Sequence, residues 1–280
     1  IDRARGPQRL LVARLAVAGA LPGLRRVARV ASAGAFGGYW WCWFGLVAPV
    51  TWLVVGLLPR ASWRWTVTRA AAKALLRGLR APLDVRGIEN LPPPGCACVY
   101  VSNHASNLDS CVLLAALPRT FAFVAKAELR RQFITRVFLR RIGTEFVERF
   151  DREQGAADTQ RLACRALSGR SLMFFAEGTC QRMPGLLPFH MGAFQAAVEA
   201  GVPMVPITIR GTRTVLRPDT WLPRRGKITV VVDPPIEPRP QAERTGSGVW
   251  AEALRLRDAA RARILSRSGE PDLEHERVEI

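Results

Sequence analysis

Residues 30–59 contain no charged side chain, and arginines crowd both ends of that run. Arg25, Arg26 and Arg29 precede it; Arg60, Arg64, Arg69 and Lys73 follow. A bilayer crossing takes about 20 apolar residues, so the run is long for one passage and short for two. Basic residues at both ends prefer the cytoplasmic side, and Pro49 removes a helical N–H from the middle. These features predict a re-entrant or interfacial helical hairpin on the cytoplasmic face of the inner or plasma membrane. A through-span and a buried core hairpin are the alternatives. Six of the eight tryptophans (Trp40, Trp41, Trp43, Trp52, Trp63 and Trp65) lie in or beside the run, as expected at headgroup depth. Residues 10–24, interrupted by Arg14, read as an amphipathic surface segment rather than a signal peptide.

Charge follows the same division. The formal net charge is +18, yet no acidic residue occurs between Asp2 and Asp84, while residues 1–80 carry thirteen Arg or Lys. The first eighty residues therefore hold about +12 and the other two hundred about +6. Juxtamembrane cationic clusters are attracted to anionic lipid by about 1 kcal/mol per charge. Thirty-eight of the forty-one basic residues are arginine, and no nucleic-acid-binding motif accompanies them. We therefore expect membrane lipids, and not nucleic acid, as the partners of residues 1–80.

Beyond residue 80, short apolar runs alternate with helical segments. Strands are expected near 96–102, 120–125, 143–148, 171–176, 204–209 and 227–233. Helices are expected near 66–79, 106–117, 128–141, 156–168, 191–200 and 248–266. This alternation predicts an α/β domain over 81–266 with a mixed, largely parallel sheet flanked by helices. Residues 234–240 read as a Pro/Arg-rich connector, and 267–280 as a disordered tail. The six cysteines form no disulfide framework and read as small hydrophobes in a reducing compartment. No Cys/His spacing suggests a metal site, so neither metal nor cofactor is expected.

The chemistry-bearing residues sit where the apolar runs end. His104 and Asp109, five positions apart, follow the run at 96–101. Histidine accepts a proton near neutrality, and a carboxylate on its second nitrogen fixes the tautomer and stabilises the imidazolium. A capped turn with a hydrogen-bonded core histidine is the alternative. The run at 171–176 leads into Glu177-Gly178-Thr179, and 143–148 delivers Arg149. A fourth apolar stretch follows Gly201 as Val202-Pro203-Met204-Val205-Pro206. No Gly-x-Ser-x-Gly elbow is present, which argues against a serine hydrolase.

In this order and spacing, the four blocks over residues 85–236 resemble the glycerolipid (lysophospholipid) acyltransferase family. The resemblance implies His104 as general base and Asp109 as its orienting partner. It also implies an acyl chain carried by acyl-CoA or acyl carrier protein as co-substrate, and a lysophospholipid hydroxyl as acceptor. The expected acceptor is 1-acylglycerol-3-phosphate; another lysolipid acceptor, or a non-catalytic lipid-binding module, is the alternative. Glu177, Gly178 and Thr179 would bind the acceptor, Arg149 would face its phosphate, and Lys126 joins the substrate-binding set. Many relatives follow Glu-Gly-Thr directly with arginine, whereas this chain has Cys180-Gln181 before Arg182. Arg182 is the candidate to replace that arginine, and the Cys180 thiol is assigned no chemistry.

Overall fold

A computed structural model describes residues 6–148, 152–240 and 248–275, with side chains from Val30 onward except those of residues 152 and 153. Seven strands form one sheet: β1 (Leu83–Arg86), β2 (Val99–Ser102), β3 (Ala122–Lys126), β4 (Glu145–Val147), β5 (Leu172–Phe175), β6 (Met204–Arg210) and β7 (Ile228–Val232). Their order is β1-β7-β6-β2-β5-β3-β4. The five from β6 to β4 run parallel; β7 is antiparallel to β6 and carries β1 parallel to itself. The mixed, largely parallel α/β sheet is as expected, and β1 is an addition to it. Its four residues, Leu83-Asp84-Val85-Arg86, are too short and too charged to stand out locally, and such a segment suits a sheet edge.

Eight α-helices accompany the sheet among the described residues: α1 (Gly6–Leu57), α2 (Ala61–Gly78), α3 (Asp109–Ala116), α4 (Phe133–Ile142), α5 (Arg152–Leu167), α6 (Gly192–Ala200), α7 (Thr212–Val215) and α8 (Val249–Ser268). Alternate residues of β2 face opposite layers. Tyr100 packs with α1, α2 and α3 residues such as Val55, Leu76 and Leu113. Val99 and Val101 pack with Phe194, Ala197, Leu256 and Ile264 of α6 and α8. A third cluster joins Val124 and Leu172 to Leu162 of α5 and Ala196 of α6. The helix after β2 thus lies on one face and the helix after β5 on the other. Where adjacent strands diverge in this way, their carboxyl ends leave a crevice.

The predicted hairpin within residues 30–59 is corrected. The chain runs as one helix through Pro49 to Leu57, and the turn falls at residues 58–60 before α2. Proline at 49 removes one backbone donor, which a helix in apolar surroundings tolerates. At Pro59 the preceding residue is pushed out of helical geometry, and arginines take up the exposed carbonyls. Arg141 donates to Val55, Gly56 and Leu58 oxygens at 3.3, 2.6 and 2.7 Å. Arg64 donates to Leu58 and Pro59 oxygens at 3.1 and 2.6 Å. Cations at a helix C-terminus also compensate its dipole.

The tryptophans of this segment stitch it to the rest of the molecule. Trp40 and Trp65 are buried in the first core cluster. Trp43 donates to Ala74 O at 3.1 Å, Trp52 to Ile134 O at 2.9 Å and Trp41 to Trp221 O at 2.6 Å. Val30–Leu57 is long and apolar enough to cross a membrane by length and composition. It nevertheless touches the α/β domain near both ends, through Leu222 against Gly37 and Arg141 at Gly56. Its outer face leaves Leu46, Val50, Leu53 and Leu57 exposed.

Residues 267–275 are ordered, against the expectation of a disordered tail; residues 276–280 lie outside the described residues. Leu186 N–H donates to Pro271 O at 2.8 Å, and Leu273 N–H to Leu186 O at 3.1 Å. Arg261 pairs with Asp272 at 2.7 Å and Arg213 with Glu270 at 3.0 Å. Polar composition suggested disorder; partners distant in sequence supply the order.

Candidate active site

His104 stands just beyond β2 and Glu177 just beyond β5, at the crevice between the two diverging strands. The loop joining β2 to α3 is held from every side by polar groups. Asn103, buried, exchanges two hydrogen bonds with Ile209 at the end of β6, at 2.9 and 2.8 Å. Ser106 Oγ donates to Leu216 O at 2.6 Å. The Asp109 carboxylate, fully buried in the first turn of α3, accepts the amides of Ala105 and Ser106 at 2.7 and 2.8 Å. The same oxygen faces His104 Nδ1 at 3.0 Å.

Glu177 completes the cradle. Its Oε1 accepts the His104 backbone N–H at 2.6 Å, and Oε2 accepts that of Leu187 at 2.9 Å. Both carboxylate oxygens are therefore spent on backbone amides, one of them that of His104, which makes Glu177 a positioning residue in this geometry. Gly178 follows in left-handed conformation, φ 74°, which glycine adopts without a Cβ penalty. The Phe175 ring stacks on the His104 imidazole, centroids 4.2 Å apart and planes 17° from parallel. Ring stacking and the Nδ1 bond together fix the imidazole, leaving Nε2 for a reactant. His104 retains 17% side-chain exposure.

Burial of the ring disfavours its charged form, but Asp109 and the neighbouring Cys180 thiol outweigh this and raise His104 from 6.5 to about 9. Burial pushes Glu177 up to about 7, with the His104 and Leu187 amides pulling the other way. His104 is thus mostly cationic at neutral pH and becomes a base as pH rises. We expect the rate at subsaturating substrate to climb between pH 6 and 9, measured as kcat/KM across buffers. A plateau reached by pH 7 would contradict this. Stability runs in the opposite direction. The His104–Asp109 contribution is complete below pH 6.5 and is lost as pH rises through about 9.

The other expected site residues are spread along the strand ends. Lys126 is exposed at the carboxyl end of β3. Thr179 is half-buried next to Gly178. Arg182 reaches Asp219 at 3.0 Å on the opposite side of the His104 loop from Lys126. Arg149 lies outside the described residues. Asn103, Ser106 and Phe175 were not anticipated; the one local signal was the run of small polar residues flanking His104. The Cys180 Sγ donates to Asn107 Oδ1 at 3.6 Å and is a hydrogen-bonding neighbour of the His104 ring. A cavity of about 720 Å³ opens behind Phe175 and Gly178, walled by Leu162, Phe174, His190 and Met191. Among the described residues, no His, Cys, Asp and Glu cluster has the grouping to hold a metal ion.

A histidine–carboxylate pair at the switch point of an open α/β sheet, with no serine elbow, defines a domain of the His-x4-Asp acyltransferase type. Residues 82–210 match the acyltransferase family model, and this part of the chain is an acyltransferase-family domain. The chain is 34% identical over 157 residues to a chloroplastic 1-acyl-sn-glycerol-3-phosphate acyltransferase of Brassica napus, covering 55% of this chain and 44% of that one. It is 31% identical over 141 residues to the 1-acyl-sn-glycerol-3-phosphate acyltransferase of Haemophilus influenzae, covering 50% and 58%. The chain spans about half the length of the curated relatives it matches. In fold it is similar to the 1-acyl-sn-glycerophosphate acyltransferase of Thermotoga maritima, with a TM-score of 0.66 at 20% identity over 85% of this chain and 98% of that one.

Proposed function

We propose that this protein is a membrane-associated O-acyltransferase. It moves a fatty acyl chain from acyl-CoA, or acyl carrier protein, to the free hydroxyl of a lysophospholipid, with 1-acylglycerol-3-phosphate as the acceptor. The observation that carries the reading is the His104–Asp109 pair at 3.0 Å, which commits Nδ1 and makes Nε2 the nitrogen that meets a reactant. The acceptor hydroxyl gives its proton to Nε2 as its oxygen attacks the thioester carbonyl. The tetrahedral intermediate collapses, and the leaving thiolate takes the proton back from the imidazolium. Asp109 holds the tautomer and the charge, as in a triad whose nucleophile is the substrate's own hydroxyl. The amides of His104, Ala105, Ser106 and Leu187 are already committed to carboxylates. Oxyanion donors must come from elsewhere on the rim, and the Thr179 and Cys180 amides are the candidates.

The membrane side is supported by the basic first eighty residues and by the exposed outer face of α1. With both ends of Val30–Leu57 against the domain, the helix lies along the cytoplasmic surface of the bilayer instead of passing through it. Replacing Leu46 and Leu53 together by arginine should release most of the protein from sedimented liposomes while its circular dichroism is unchanged. Full retention on the liposomes would sink this placement of the anchor.

The function itself is tested with protein purified in detergent, labelled acyl-CoA and a panel of lysolipids. Transfer to a lysophospholipid is the expected result. Free fatty acid alone would indicate a hydrolase, and no turnover with retained lipid binding a non-catalytic module; either result overturns the proposal.

A further inference from the structure

Cys180 stands directly after Glu177-Gly178-Thr179, and its sequence context assigns it no chemistry. Its surroundings in the fold do. Glu177 ties the loop after β5 to the His104 amide at 2.6 Å. Three residues on, the half-buried Cys180 Sγ lies 3.6 Å from Asn107 Oδ1 and within hydrogen-bonding reach of the His104 imidazole. Asp109 holds Nδ1 and Phe175 covers one face of the ring, so the edge that meets the thiol is that of Nε2. The single thiol hydrogen therefore has two acceptors before it, Asn107 Oδ1 and His104 Nε2.

A nucleophile beside a base that a third group orients is the arrangement that activates a cysteine for acyl chemistry. Cys180, His104 and Asp109 stand in that order. The thiol is thus one end of a relay whose other two members acyl transfer already needs. A cavity of about 720 Å³ begins at Phe175 and Gly178, with Val124, Leu162 and Phe174 among its walls, and gives a chain attached near Gly178 room to lie. We propose that Cys180 is a nucleophile that takes the acyl group from the donor, as a thioester, before the acceptor receives it. The proposal rests on the acyltransferase reading and adds a covalent intermediate to it. In the first half, Nε2 takes the Cys180 proton and Sγ bonds to the carbonyl carbon of the donor thioester. The donor's own C–S bond breaks, and the departing thiolate leaves with that proton. In the second half, Nε2 takes the hydroxyl proton of the acceptor, whose oxygen attacks the acyl-Cys180 carbonyl. Cys180 leaves as a thiolate and recovers the proton. One thioester replaces another before the ester forms, and no oxidant, reductant or further reactant is consumed.

The test uses the purified full chain in detergent with palmitoyl-CoA and no acceptor. Wild type should gain the mass of one acyl group, mapped to Cys180 and removed by neutral hydroxylamine, and should exchange labelled coenzyme A into palmitoyl-CoA. His104→Ala should do neither, which separates this adduct from chemical acylation of exposed cysteines such as Cys42 and Cys96. Lysophosphatidate added afterwards should discharge the adduct at least as fast as kcat, and double-reciprocal plots should be parallel. Cys180→Ala and Cys180→Ser should both lose the exchange and fall more than about tenfold in kcat with circular dichroism unchanged, whereas serine would rescue a merely structural role. An unacylated Cys180, an adduct that neither lysophosphatidate nor water discharges, or a Cys180→Ala kcat within about tenfold of wild type would overturn the proposal. If lysophosphatidate is acylated while Cys180 stays free and the plots intersect, the nucleophile fails and the acyltransferase reading stands. If acyl-Cys180 forms but passes its acyl group only to water, the acyltransferase reading fails and the nucleophile stands.

Discussion

His104→Ala should lower acyl-transfer turnover by about a thousandfold or more, the size expected when a general base is removed. The geometry gives no substitute. Both oxygens of Glu177 bond backbone amides, and Asp109 is fully buried behind the imidazole. The fold should survive, because the ring is part-exposed and the loop around it is held by Asn103, Ser106 and Glu177. Asp109→Asn should be nearly as damaging. An amide that keeps its oxygen where His104 Nδ1 and the Ala105 and Ser106 N–H groups converge loses the charge that stabilises the imidazolium. Its NH₂ is then buried in the place of the second carboxylate oxygen, which has no partner among the described residues. Turned over, it presents that NH₂ to His104 Nδ1 and both amides at once. Retention of more than about a tenth of wild-type turnover by His104→Ala, measured with acyl-CoA and lysophosphatidate, would rule out this mechanism.

The second large effect belongs to a residue that does not touch the reacting atoms in this structure. Glu177→Gln keeps the shape and can accept only one of the two amides that the carboxylate now takes. The other amide, from His104 or Leu187, then faces an NH₂ group in a buried site. Such an unpaired buried donor costs about 1–3 kcal/mol, and here part of that cost falls on the position of His104. We expect a kcat about a hundredfold lower, since roughly 2.7 kcal/mol off the transition state corresponds to that factor. The acceptor and donor KM values should change little. That split is what a positioning role predicts; a contact to the acceptor would raise its KM instead. A Glu177→Gln enzyme with normal kcat and a raised acceptor KM would return Glu177 to the substrate-binding set in which the family resemblance places it.

Much of this architecture is legible in the sequence alone. The runs at 96–101, 171–176 and 204–209 are apolar and bounded by Gly, Pro or polar residues, so each could only be a buried strand. The helices between them gave the α/β alternation, and His104 and Asp109 announced acid–base chemistry by type and spacing. Illegible parts share one cause: their partners are far away in the chain. Leu83–Arg86 has no local strand signal and owes its geometry to β7. Residues 267–275 look like a polar tail, and Leu186, Arg213 and Arg261 hold them in place.

Local composition was therefore enough to determine the layers, the chemical identity of the base and its carboxylate, and the basic, apolar character of residues 1–80. Those follow from burial and pKa, which side-chain type largely sets. Only the tertiary structure decided that Pro49 is absorbed into one helix and that tryptophans expected at a lipid surface pin this helix to the domain. It also turned Glu177 inward to hold the His104 backbone, and set the Cys180 thiol beside Asn107 and the His104 ring. Each of these outcomes depends on hydrogen bonds between residues thirty to more than a hundred positions apart. Sequence neighbours carry no record of such pairings, because it is the packing of the sheet and its two helical layers that brings the groups within reach.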